Sequence, residues 1–195
     1  GDIMYKDVNG DGVINYMDER PIGYRSDSTP TLNFGINLSA SWKGFDLAMD
    51  WTGSGMTSWQ QQYETARPFQ NDGNSPDEVF KDAWHLADIW DADSQLIPGK
   101  YPLIRLNNEE TSAYDKSTFW LHNVKYIKLR NLEFGYTLPK RIVAKAGISN
   151  LRLYVSGTNL FSISNIPFMD PECINSNGLD YPTMRVVNLG INLKF

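Results

Sequence analysis

The chain carries one cysteine in 195 residues, Cys173. A lone cysteine excludes an internal disulfide framework and any metal site built from thiolates alone, and Cys173 reads as a loop residue. No apolar run approaches the ~18 uncharged residues of a membrane-spanning helix, so no helical span is expected. Basic residues form no stripe, and the formal net charge is −5, which argues against nucleic acid as a partner. The opening GDIMYKD has neither a basic nor an apolar leader region, so no signal peptide is expected there. Catalytic patterns are missing as well. His85 and His122 lie far apart and outside any metal or nucleophile motif. Ser54, in Thr52-Gly53-Ser54-Gly55-Met56, lacks the strand–turn–helix context of a nucleophile elbow. Asp72, Asp77, Glu78, Asp82, Asp88, Asp91 and Asp93 crowd one stretch, so a pair resembling a glycosidase's two carboxylates arises there by chance. The expectation is a protein that is not an enzyme.

Aromatics, by contrast, are abundant, at 13% with six Trp and ten Tyr, a balance that leans towards β-structure. The organising pattern has period two. In TLNFGINLSASW, Leu32, Phe34, Ile36, Leu38, Ala40 and Trp42 share one face, and Thr31, Asn33, Gly35, Asn37, Ser39 and Ser41 share the other. After Lys43-Gly44 the alternation resumes with Phe45, Leu47, Met49 and Trp51, a hairpin signal. NLEFGYTL places Leu132, Phe134, Tyr136 and Leu138 on one face, whereas Ile127 and Leu129 are out of phase, so a bulge is expected near Arg130-Asn131. NLRLYVSGTNLF and VVNLGINLKF alternate likewise, the second with Val187, Leu189, Ile191, Leu193 and Phe195 aligned. The best runs, of about 11 residues, match a tilted strand crossing a bilayer; strands of soluble sheets average about 5–6 residues.

Connection lengths sort by end. Lys43-Gly44 and LPKRIVAKAGISN are short and fall at one end; the second is expected to form one or two helical turns between Pro139 and Gly147. Residues 53–123 and 162–184 are long and fall at the other. Outer-membrane barrels show this asymmetry, with short periplasmic turns and long extracellular loops, and it places the C-terminus in the periplasm. NFGINL, EFGYTL and NLGINL repeat one template, with Gly35, Gly135 and Gly190 in the inward, polar phase. There a missing side chain lets the sheet coil tightly or admits another element close to its wall.

Two loop features suggest binding. DVNGDGVINYMD offers oxygen ligands for calcium from Asp7, Asn9, Asp11, the Val13 carbonyl, Asn15 and Asp18, with Gly12 at the tight reversal. Asp18 replaces the longer Glu of an EF-hand, a departure like that of dockerin loops, but no second repeat follows. The competing reading is a turn ordered by its own Asx bonds. The long loop contains Trp59, Tyr63, Trp84 and Trp90, together with Tyr101 and Trp120. Their flat faces suit stacking on sugar rings, or else a small core or an interfacial girdle.

The motifs GDIMYKDVNGDGVIN, LNFGINLSASWKGFDL, YIKLRNLEFGYTLPKRI, GISNLRLYVSGTNLF and DPE occur in that order. Together they resemble SusC/RagA-type TonB-dependent transporters along essentially the whole chain. The resemblance implies an all-β fold: antiparallel up-and-down strands forming the C-terminal part of a 22-stranded outer-membrane barrel. On this reading residues 1–31 are an outer loop, 32–52 a β-hairpin, 53–123 a long outer loop and 124–161 two strands joined by a short periplasmic helical turn. Residues 162–184 form a further outer loop and 185–195 the terminal strand. It also implies import of glycans or peptides across the Gram-negative outer membrane. The implied partners are the rest of the barrel and its plug, a SusD-like lipoprotein lid, TonB, the barrel-assembly machinery and outer-membrane lipid. Leu189, Ile191, Leu193 and Phe195 resemble the assembly signal of such barrels. Five strands cannot close a barrel, and no plug or TonB box is seen. The alternative class is a soluble, calcium-stapled β-module for carbohydrate binding or adhesion.

Overall fold

A computed structural model describes residues 1–24, 29–105, 111–166, 168–173 and 177–195. The chain divides into two compact units. The first to consider comprises residues 29–57, 124–173 and 181–195.

Its strands belong to a five-stranded antiparallel sheet. In chain order the strands of the protein are β1 (Leu32–Trp42), β2 (Phe45–Gln60), the short β3 (His85–Leu86) and β4 (Leu96–Ile97), β5 (Leu121–Thr137), β6 (Asn150–Ser164) and β7 (Val186–Lys194). The large sheet has the order β1-β2-β5-β6-β7 and is not closed, with β1 and β7 at its edges. Lys43 and Gly44 both take positive φ, 49° and 89°, the geometry of the two-residue turn whose twist suits a hairpin. That turn sets the register from Trp42↔Phe45 to Leu32↔Gly55. Between β5 and β6 a short helix α2 (Lys140–Val143) and a 3-10 turn at Ala144–Ala146 follow Pro139 and end on Gly147 at φ 72°. Glycine takes this left-handed conformation at a helix end without the penalty a Cβ would bring.

The register of β5 on β6 slips between Leu129 and Asn131. Leu129 pairs with Phe161 and Asn131 with Thr158, so Arg130 alone faces Asn159 and Leu160. The extra residue thus lies on β6, the strand opposite the phase change read from sequence, and Asn159 adopts φ 52°. A bulge of this kind re-aims side chains, and here it joins Arg130 to Asn159.

The two faces differ in chemistry. Leu32, Phe34, Ile36, Leu38, Phe134, Leu153, Val155, Val187, Leu189 and Ile191 all lie open on one face. Leu189 is 87% exposed. A contiguous apolar surface of this breadth marks a face that meets a partner or a membrane. The opposite face carries ion pairs: Arg152 binds Asp46 and Glu133, and Asn131 donates to Asp50 at 3.1 Å. On that face Gly135 and Gly190 both pair with Tyr154. A Cβ at Gly190 would lie inside the Tyr154 ring, and one at Gly135 inside the Arg152 guanidinium. What approaches these glycines is therefore a side chain of β6 rather than a separate element.

The second unit takes in residues 1–28, 58–123 and 174–180. Its core is Ala66, Val79, Ala83, Tyr101, Ala113, Tyr114 and Trp120. Trp120 is fully buried, stacks on Tyr101 and Tyr114, and donates its indole N–H to the Ala113 carbonyl at 2.8 Å. The unit also holds α1 (Asp77–Lys81), whose Val79 joins this core, and the β3–β4 ladder. Among the described residues no helix is long and apolar enough to cross a membrane, which bears on helices only.

Candidate functional site: an ion-pair cluster on the polar face

The densest polar constellation lies on β5, where Tyr126, Lys128 and Arg130 occupy the face opposite Ile127 and Leu129. Lys128 is only 3% exposed. Its ammonium donates to Glu172 Oε2 at 2.9 Å, to Asp170 Oδ2 at 3.1 Å and to the Thr183 hydroxyl at 2.6 Å. Arg130 reaches both oxygens of Glu172, with Asn159 Oδ1 at 3.0 Å and Thr52 Oγ1 at 3.4 Å completing its partners. The Tyr126 hydroxyl stands 3.4 Å from Glu172 Oε1.

The carboxylates arrive on Asp170-Pro171-Glu172. Asp170 folds that segment by accepting the Glu172 N–H at 3.1 Å and the Thr183 N–H at 3.2 Å, and the Thr183 hydroxyl also donates to it. Burial opposes ionisation of both acids but is outweighed. Thr183, the Glu172 backbone N–H and Lys128 hold the Asp170 carboxyl below its usual range, and Arg130 and Lys128 do the same for Glu172. Each charge is matched and hydrogen-bonded, so the cluster offers no free base or nucleophile. Removing one partner from such a buried pair costs about 3–5 kcal/mol.

The calcium-like loop is exposed and folded onto its own backbone. Asp7 accepts the N–H groups of Gly10 and Gly12 at 2.6 and 2.8 Å; Asn9 accepts from Asp11, and Asp11 from Val13. Asp18 accepts from Val8, Asn9 and Asn15, and these bonds, Asn15 first, lower its carboxyl from the ordinary value. Asn15 caps the short 3-10 turn Tyr16–Asp18. Gly10 and Gly12 sit at φ 80° and 82°. Among the described residues no group of three or more His, Cys, Asp or Glu is placed to hold a metal ion. The donor set remains all oxygen, the chemistry that calcium takes.

The aromatic candidates separate. Trp59 is buried and stacks on His122 at 5.3 Å, Trp84 is half-buried, and Tyr63 and Trp90 are exposed, Trp90 at 91%. His122 bonds Gln61 Oε1 at 3.0 Å, and His85 bonds the Ala83 carbonyl. Leu189, Ile191, Leu193 and Phe195 are all exposed.

A two-faced antiparallel wall, apolar and open on one side and ion-paired on the other, defines the class as an all-β antiparallel sheet. Comparison with known proteins sharpens this. No family model matches the chain. It is similar to TonB-dependent receptor P3 of Formosa agariphila, 29% identical over 208 residues, covering 100% of this chain and 19% of that protein. Receptor P26 of the same organism is 26% identical over 209 residues, again covering 100% of this chain and 20% of the relative. The chain thus spans about a fifth of the length of these relatives. The solved RagAB peptide transporter superposes with a TM-score of 0.62 at 25% identity, over 94% of this chain and 19% of that one. Its closed-closed state, at 24% identity and a TM-score of 0.62, shows the same fold. These matches fit a segment of a SusC/RagA-type TonB-dependent transporter, the family that the ordered sequence motifs resemble. Each of these proteins is described as a receptor or a transporter.

Proposed function

We propose that the chain is wall and outer-loop segment of a TonB-driven outer-membrane importer, carrying no chemistry of its own. The observation that carries this reading is the open apolar face of the five-stranded sheet, which suits contact with lipid, taken with similarity to TonB-dependent receptors along the whole of this chain. The short links 43–44 and 138–149 face the periplasm, and residues 61–120 and 165–185 face outward. The sheet's free edges pair with the rest of a 22-stranded barrel that encloses a plug engaged by TonB, with a SusD-like lipoprotein lid outside. Leu189, Ile191, Leu193 and Phe195 present the row read by the assembly machinery. The cargo is a glycan or a peptide; the RagAB likeness favours peptide, and of the four candidate aromatics Tyr63 and Trp90 are the exposed pair. Calcium, held by Asp7, Asn9, Asp11, Val13, Asn15 and Asp18, would add a staple to the outer loop.

The test uses the full-length protein containing this segment, with a single added cysteine and an impermeant thiol reagent on intact cells. Asp11→Cys reacts in intact cells, and Lys43→Cys reacts only once the periplasm is opened. Recovery of the protein in the soluble fraction, as a calcium-stapled binding module would behave, or labelling of Lys43→Cys in intact cells, overturns the reading.

A further inference from the structure

Transport leaves the Lys128 cluster without an assigned role, and its construction is unusual. Residues 170–172 follow β6 and precede β7, and they reach β5 through side chains. Glu172 is the keystone, since among the described residues it alone bonds both Lys128 and Arg130. Asp170 shares Lys128 and folds the turn, and Thr183 bridges Asp170 and Lys128. The side chains of Lys128, Asp170 and Glu172 are 4%, 11% and 17% exposed, so the ions are largely dehydrated. A dehydrated cluster of this kind is stable with every partner in place or with all of them hydrated; the half-made state strands a buried charge.

Two further features show where it acts. The bulge supplies Arg130 and Asn159 together, and the Asn159 amide also donates to the Met184 carbonyl at 3.1 Å, so both flanks of the connection between β6 and β7 are tied to one irregular spot on the wall. Beside the keystone, the Cys173 thiol is half-buried and donates to the Tyr181 carbonyl at 3.6 Å. That thiol reports whether the segment is seated.

We propose that residues 168–173 form a strap held against the polar face of the sheet by an ion-pair latch of Lys128, Arg130, Asp170 and Glu172, and that the latch releases as a unit. Loss of the Glu172 charge alone frees the strap, because it removes a group common to both cations. Asp170→Asn frees it less, because Arg130 keeps its carboxylate.

The experiment measures maleimide labelling of Cys173 in the full-length, membrane-embedded protein, read by mass spectrometry of the peptide containing that residue. The latch predicts that Glu172→Gln raises the rate at least tenfold and Asp170→Asn by a smaller factor. Lys128→Met matches Glu172→Gln if it assembles. The two strap variants leave the strands untouched, so a failure of Lys128→Met to assemble does not remove the test. Rates within twofold of the parent for Glu172→Gln overturn the latch. An increase in Lys128→Met with none in Glu172→Gln overturns it too, since that pattern belongs to a damaged wall.

Discussion

Replacing Leu189 by arginine separates a wall that meets lipid from a sheet that meets water. Leu189 sits in β7 on the apolar face, 87% exposed. On a soluble surface an arginine there changes stability by less than ~0.5 kcal/mol. In a membrane, depth decides the cost. A strand tilted by ~40° climbs ~2.5 Å per residue along the membrane normal. Five such steps from Leu189 to the strand's end at Lys194 give ~12 Å, about half of the ~25 Å apolar band of an outer-membrane barrel. Leu189 therefore lies close to the midplane, where arginine costs ~2–4 kcal/mol, a shift of roughly 30- to 700-fold in the folding constant. The neighbouring Asn188→Arg projects to the polar face and should cost under ~0.5 kcal/mol. Denaturant titration of the full-length protein in liposomes, followed by heat-modifiable gel mobility, measures both. Equal stabilities for the two variants would refute the assignment of faces.

Trp120→Ala removes the fully buried centre of the unit that includes residues 58–123, at ~3–5 kcal/mol; hydrogen exchange across residues 66–105 should rise sharply while β6 and β7 stay protected, and unchanged exchange contradicts the core assignment. Millimolar calcium should slow proteolysis within residues 7–18 relative to chelator, and Asp7→Ala should abolish the difference; identical cleavage with and without calcium leaves the loop to its own Asx bonds. Asp170 and Glu172 are held below the ordinary carboxylate range, so their contribution is complete above the unfolded value near ~4 and is lost only as pH falls through the lower folded values. A spin label on Cys173 should accordingly stay immobile from pH 7 down to ~4.5, and mobility already at pH 6 contradicts the pairing.

The strands were readable because their cause is local. One face of each must be apolar and the other polar, so period-two alternation marks β1, β7 and most of β6, and Lys43-Gly44 and Pro139…Gly147 carry their turn chemistry in the residues themselves. The reading ended the first hairpin at residue 52, whereas β2 continues to Gln60. Beyond Gly53 the buried residues include Ser54, Thr57 and Ser58, and a stretch polar on both faces carries no alternation to read. The ion-pair cluster had no such signature. Lys128 is an ordinary polar-phase lysine by sequence, and its partner Asp170 lies 42 residues away. The phase change at Arg130 was the one local hint, pointing to the bulge that gathers Arg130 and Asn159. The four aromatic candidates could not be told apart by sequence either, because the fold buries Trp59 and leaves Trp90 open through contacts distant along the chain.

The most direct test of the account is a nitroxide scan of residues 186–194, leaving out Gly190, where Tyr154 fills the space a side chain needs, in the full-length protein in lipid bilayers, reading collision with oxygen, which concentrates in lipid, and with a water-soluble nickel chelate. The account predicts strict alternation. Positions 187, 189, 191 and 193 should be reached by oxygen, deepest near 189, and 188 and 192 should be shielded from it. Nickel access at 187, 189 and 191 equal to that at 188 and 192 would contradict it.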